Sequence, residues 1–312
     1  MENKTMAFTA KDVAELRKQT GCGMMDCKNA LTEADGNFEE AIKILREKGM
    51  AATAKKASRI AAEGIVDILT RDGVTAMLEV NTETDFVAKN ESFRAFVKDL
   101  LETIVANKPA DVEALMQLKI ANADQTVEAA LQEKTYTIGE KLSIRRFVIV
   151  EGTVSTYIHG MGATGIIVKF EADEAVVANA AFAEFAKNIA LQTAAIPSSY
   201  VSREDVPASV IEEEKDILTK QMALDPKFAN KPAKVLEGIV TGKLGKFYET
   251  NCLLEQGYVK DDSLTVGKYV AATAKELGGA IKVVSFVRYD KGEGIQKREE
   301  DFAAEIEKMV KG

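Results

Sequence analysis

EGIVDILTRDGVTAMLEVNTETDFVAKNESFRAFVK fills residues 63–98, and EGTVSTYIHGMGATGIIVKFEADEAVVANAAFAEFAK fills residues 151–187. After the shared Glu-Gly start, and with one extra residue in the second turn, the two share a register without gaps. It sets Gly73 against Gly162, Thr75 against Thr164, Asn90 against Asn179, Phe93 against Phe182, Phe96 against Phe185 and Lys98 against Lys187. In each copy two β-branched apolar runs flank a turn and then give way to apolar spacings of three and four. That reads as strand, tight turn, strand, helix. A unit met twice predicts a duplication, two related α+β subdomains in one core.

Outward from the repeat, residues 9–49 read as three short helices. Thr9 with Asp12 caps the first ahead of Val13 and Leu16, and Gly21-Cys22-Gly23 breaks it. MMDCKNALTEA follows; Asn37 with Glu40 caps the third helix, which Gly49 is expected to stop. Residues 50–62 are small and basic, suiting a linker with some helical tendency. Between Ser202 and Phe247, apolar pairs at helical spacing on either side of DPKFANK predict an antiparallel helical hairpin. TVGKYVAATAKELGG reads as a helix ended by Gly278-Gly279, AIKVVSFVRYD as a strand joining the second sheet, and KREEDFAAEIEKMVK as an amphipathic helix. The expected organisation is therefore an N-terminal three-helix, ubiquitin-associated-like domain (1–50), a linker (51–62) and core subdomains at 63–142 and at 143–201 with 248–290. The hairpin (202–247) is an insertion, and residues 291–312 form a C-terminal module.

Composition narrows the chemistry. The chain has 312 residues and a formal net charge of −8, so its overall field repels nucleic acid and anionic membrane. No apolar run approaches the ~20 residues needed to span a bilayer. The N-terminal stretch lacks the basic start and apolar core of a secretory signal, and three cysteines without a CxxC spacing suit a reduced, cytoplasmic setting. A single histidine, His159, rules out multi-histidine metal sites. His159 is either a partner contact or a plain strand-end residue. Cys22 and Cys27 are either packed thiols or a redox or metal pair. Two nucleotide-like patterns are decoys. Gly160 to Gly165 matches GxGxxG but runs into the strand IIVKF, not a helix N-terminus that would meet a phosphate. Gly238 to Lys243 is a residue short of a P-loop and lies inside a helical pattern. No cofactor and no catalytic constellation is implied, so the chain is not expected to be an enzyme.

The two copies differ at one corner. Asp85-Phe86 in the first stands where the second has Glu174-Ala175. The unit can thus do without the ring, whereas the paired Phe93/Phe182 and Phe96/Phe185 look like core. Phe86 is either a hydrophobic staple on its own helix or a ring reaching into another molecule.

ELRKQTGCGMMDCKNALTEADGNFEEAIKILREKG at 15–49, LEVNTETDFVAKNESF at 78–93, TVGKYV, and VRYDKGEGIQKREEDFAAE together resemble the bacterial elongation factor Ts family, along nearly the whole chain and in order. The longest departure lies around 105–135, where extra helical residues carry no assigned role. The resemblance implies a guanine-nucleotide exchange factor for elongation factor Tu in its GDP-bound and nucleotide-free forms. It implies that Thr84, Asp85, Phe86 and Val87 displace the magnesium ion bound to elongation factor Tu, that Met24, Met25 and Lys28 touch the partner, and that the hairpin can mediate dimerisation. Two adjacent methionines are otherwise usual in a core. The reading from another class is a ubiquitin-associated-type adaptor without exchange activity; it accounts for residues 9–49 but not for the unequal corners.

Overall fold

A computed structural model describes residues 8–228 and 231–296. The amphipathic helix expected from residue 297 onward lies outside the described residues.

Helices α1 (Ala10–Thr20), α2 (Met24–Glu33) and α3 (Phe38–Lys56) form the N-terminal domain. Their ends follow local chemistry: Thr9 and Asp12 make a reciprocal capping box, Gly21 ends α1 at φ 67°, and Asn37 Oδ1 accepts from Glu40 N at 3.1 Å. Leu16, Cys27, Ala30, Leu31 and Leu45 close a small core. The stop expected at Gly49 does not occur. The Met, Ala and Lys residues that follow are good helix formers, and α3 runs on to Lys56 with Gly49 buried against Gln132 and Tyr136.

The first half of the core is β1 (Glu63–Arg71), β2 (Val74–Thr82), α4 (Asp85–Ala88), α5 (Glu91–Asn107), α6 (Val112–Gln117), α7 (Val127–Ile138) and β3 (Ser143–Glu151). The second is β4 (Val154–His159), β5 (Thr164–Ala172), α8 (Glu174–Val177), α9 (Ala180–Ala195), α10 (Ala208–Leu224), α11 (Ala233–Asn251), β6 (Gly257–Tyr258), β7 (Asp261–Thr265), α12 (Val266–Leu277) and β8 (Ile281–Asp290). The strands make two antiparallel three-stranded sheets, β1-β2-β3 and β4-β5-β8, with β6 and β7 as a small ribbon. Strand β3 thus belongs to the first sheet. The boundary expected at 142/143 moves to the end of β3, because Ser143–Glu151 pairs along β2. The strand expected to join the second sheet does so as β8.

Each sheet packs one face on its helices. Phe93, Phe96, Leu100 and Ile104 of α5 cover Leu78 and Val80 in the first half; Phe182, Phe185 and Ile189 of α9 cover Ile166, Val168 and Phe170 in the second. The other faces meet, with Val66 and Met77 against Ile167 and with Ile68, Val148, Val150, Val154, Val287 and Tyr289 around them. The core is therefore layered helix, sheet, sheet, helix, and β2 is buried along its whole length because both its faces are covered. Gly165 lies at this contact, where an added Cβ would stand 2.5 Å from Val66 Cγ1 and 2.7 Å from Met77 Sδ. The last glycine of the dinucleotide-like decoy is a close-packing position.

The duplication is real but its register is not gap-free. The first turn is Asp72-Gly73, both at positive φ; the second, Gly160 to Ala163, is two residues longer. The joint from strand to short helix is Glu83-Thr84 in the first copy and Asp173 alone in the second, one residue shorter. The two changes nearly cancel, so sequence alignment sees one shift where the structure has two. Asn90 and Asn179, matched in sequence, both cap the following helix.

Candidate functional site

The corner between β2 and α5 is built by hydrogen bonds on every side. Thr82 Oγ1 donates to Thr84 O at 2.7 Å, and Thr84 donates from N and Oγ1 to the Glu140 carboxylate at 3.0 and 2.6 Å. The surplus joint residue Glu83 accepts from Lys141 N at 2.6 Å and pairs with Arg59 at 3.2 Å. Asn90 Oδ1 then starts α5 by accepting from Ser92 N at 2.8 Å and Phe93 N at 3.2 Å. Ala88 is buried and Val87 packs on the first-half core. Phe86, on this held backbone, is 79% exposed. A staple would bury its ring against its own helix, and this one does not.

Asp85 pairs with Lys89 Nζ at 2.6 Å, and that bond holds its carboxyl below the ordinary aspartate range. The ammonium also lies 5.8 Å from the Phe86 ring centroid. The second corner differs in kind. Asp173 Oδ2 there accepts from Ala280 N at 2.9 Å and lies close against Gly279. The loop after α12 thus ties down the corner that lacks a ring.

Phe86 and Val87 form one wall of an open cleft of about 410 Å3 whose other walls are Thr20 and Gly21 at the end of α1 and Glu133, Lys134 and Thr137 on α7. Met24 and Met25 are exposed in the first turn of α2, not in the core; Lys28, one turn on, is half-buried. His159 is exposed at the end of β4, with Nδ1 3.1 Å from Tyr157 Oη. Its turn lies beside the corner: Arg94 donates from Nε to Ala88 O at 3.2 Å and from a terminal nitrogen to Met161 O at 3.1 Å. One guanidinium thus joins the corner to the turn of the other half, with Met161 73% exposed at its tip. Neither Arg94 nor Glu140 stands out in sequence. Their partners are backbone atoms or lie 56 residues away.

Cys22, Cys27 and Cys252 are buried and unpaired by disulfides; burial pushes all three thiols up, Cys252 to about 11. They are packed thiols. Among the described residues no three His, Cys, Asp or Glu side chains gather as a metal site, and no helix is long and apolar enough to cross a membrane.

Fold and site describe an α+β protein with a duplicated two-sheet core, a helical N-terminal domain, an inserted helical hairpin and one rigid corner that presents an aromatic ring. Residues 83–293 match the family model described as Elongation factor TS. A relative of that name from Clostridioides difficile is 47% identical over 308 residues, covering 97% of this chain and 99% of its own. Another from Syntrophotalea carbinolica is 45% identical over 313 residues, covering 98% and 100%. The chain belongs to the elongation factor Ts family.

Proposed function

We propose that the chain is a guanine-nucleotide exchange factor for elongation factor Tu, acting in the cytoplasm during translation elongation. Thr84, Asp85, Phe86 and Val87 form the element that dislodges the Mg2+ held by the partner. The observation that carries this reading is the exposed Phe86 ring on a corner held by Glu140, by Lys141 through the Glu83 carboxylate, and by Asn90. A wedge must not yield when it enters a site, and this corner is braced on both sides.

The mechanism needs no covalent step. Mg2+ bridges a GTPase to the β-phosphate of its nucleotide, so loss of its coordination weakens GDP. A factor that prefers the nucleotide-free form must lower GDP affinity by the same ratio. Met24, Met25, Lys28 and His159 are exposed or half-buried side chains suited to hold the partner on either side of the corner. The hairpin of α10 and α11, which carries exposed Ile217, Leu224 and Val235, suits self-association into a homodimer. The test is stopped-flow release of a fluorescent GDP analogue from elongation factor Tu at rising concentrations of the chain. Release should accelerate and saturate. An unchanged rate despite measurable binding would favour the adaptor.

A further inference from the structure

We propose that Glu79 is a positioning residue that locks the turn after β8 onto the first sheet, so that this turn and the corner are held in one fixed frame; this rests on the exchange-factor reading.

Glu79 has no exposed surface, yet it is a carboxylate in the middle of β2. Four donors surround it: Arg145 at 2.9 Å, Arg146 Nε at 2.6 Å, Asn81 Nδ2 at 3.1 Å and the Gly292 amide at 2.8 Å. Consecutive strand residues normally point to opposite faces. Here a β-bulge between Glu79 and Val80 sets Glu79 opposite Arg146 and Val80 opposite Ile144, leaving Arg145 surplus. The bulge re-aims Arg145 so that both guanidiniums reach one carboxylate.

The second sheet has the same bulge at the matching place, between Lys169 and Phe170, with Val284 surplus. Its counterpart of Glu79 is Lys169, and its surplus residue is apolar. The fold unit needs the bulge but not the carboxylate.

What the cluster holds is a turn from the other half. Arg145 donates to Glu293 O, and Arg146 reaches Asp290 O at 3.3 Å and Glu293 Oε2 at 3.0 Å while its guanidinium stacks 4.0 Å over Tyr289. Lys291 pairs with Glu63. Gly292, at φ 69°, passes so close to Ala62 that an added Cβ would stand 2.1 Å from its carbonyl oxygen. This turn lies near the corner: Ile295 and Gln296 line a cleft of about 340 Å3 with Arg59, the partner of Glu83. The turn from Asp290 to Gln296 is therefore held in place relative to Thr84–Val87.

The full chain carrying Glu91→Cys and Gln296→Cys, both at exposed positions, is spin-labelled and its inter-label distances are read by pulsed electron resonance. The same chain is assayed for affinity to elongation factor Tu and for GDP release at saturating concentration. Glu79→Gln keeps the shape and removes the charge. We expect a broadened distance distribution and affinity lower by about tenfold, since a frame that is no longer held must be ordered on binding. Saturating GDP release should stay within about twofold, since the corner keeps its own braces. Unchanged distances, unchanged affinity, or a saturating rate that falls as far as affinity each overturns the proposal. Gly292→Ala disturbs the turn and leaves the Glu79 ion pairs in place, and it should show the same split. If neither variant folds, Glu79 is a fold residue and the proposal is wrong. If the unmutated chain does not accelerate GDP release, the exchange-factor reading fails instead, while the distances still report on the lock.

Discussion

At the scale of the residue, Phe86 is the side chain with most to lose in function and least in stability. It is 79% exposed, and the second copy carries Ala175 at its place in the short helix. Phe86→Ala should leave the melting temperature of the free protein unchanged within error. GDP release at saturating factor should slow by about tenfold or more, since truncating a buried interfacial aromatic commonly costs ~2 kcal/mol and ~1.4 kcal/mol of barrier is a factor of ten. Asp85→Ala should act in the same direction with a smaller or similar effect. If Phe86→Ala releases GDP as fast as the parent, the ring is no wedge. Glu79 gives a separate reading in pH. Burial pushes its carboxyl up, but the Gly292 amide with Arg145, Arg146 and Asn81 outweighs burial, and the net shift is downward. A carboxyl lowered on folding stabilises above its unfolded value, near ~4.3, and loses that contribution as pH falls through the folded value. Acid unfolding followed by circular dichroism should therefore show a drop below about pH 4 that Glu79→Gln flattens. An identical acid limb in the variant would mean that other carboxylates set it.

At the scale of the element, the strands and helices were legible because their patterns are plain: β-branched apolar runs in β1 and β2, spacings of three and four in α5 and α9. The unequal corners were legible too, from comparing one copy with the other. The hidden parts depend on length and partner. A turn longer by two residues and a joint shorter by one leave a net shift of one, so the surplus Glu83 is invisible until pairing is seen. The end of the third helix was misjudged because Gly49 has a packing partner, α7, that lies far along the chain. Two variants test the elements. Gly165→Ala puts a methyl into the contact between the sheets and should destabilise by about 1–3 kcal/mol by overpacking, read as a lowered urea midpoint with the slope unchanged. A neutral result would show that the sheets slide apart easily. Replacing residues 202–247 by a short loop should spare GDP release more than self-association. The chain re-enters the core where Ser199 N and Tyr200 N both meet Asn251 O at 3.0 Å, so the ends already lie together. The ion pairs on the arms, Lys220–Asp216 and Lys246–Glu249, run along each helix, while Arg203, ahead of α10, pairs with Glu255 at 2.6 Å, a contact that the deletion removes. A folded deletion that no longer accelerates release would put the arms in the exchange surface.

At the scale of the whole molecule, the question is which contacts make one body of several parts. The two halves share the packed faces of their sheets, the Arg94 bridge and the Glu79 cluster. The N-terminal domain joins through α3, which packs along α7 with Gly49 against Gln132 and Tyr136. Tyr136 of α7 packs on its small core, Lys56 Nζ donates to Thr135 O at 3.2 Å, and a cleft of about 460 Å3 remains between α3 and α7. The first-half core draws Val127, Ala130 and Leu131 from α7 and nothing from α1 or α2. Removing residues 1–50 should therefore uncover one face of α7 and leave both sheets intact. Uncovering part of a tyrosine and its surround costs about 1–3 kcal/mol, which in a domain of this size lowers the melting temperature by only a few degrees. Binding should suffer far more. Two contact regions on one chain act as linked modules, and losing one commonly lowers affinity by about 10²-fold or more. GDP release at saturating factor should fall much less, because the corner and its braces remain. Calorimetric titration against elongation factor Tu, with a thermal melt of the shortened chain beside it, decides the matter. An unfolded core would make the helical domain part of the fold. An unchanged affinity would leave Met24, Met25 and Lys28 without the contact role proposed for them.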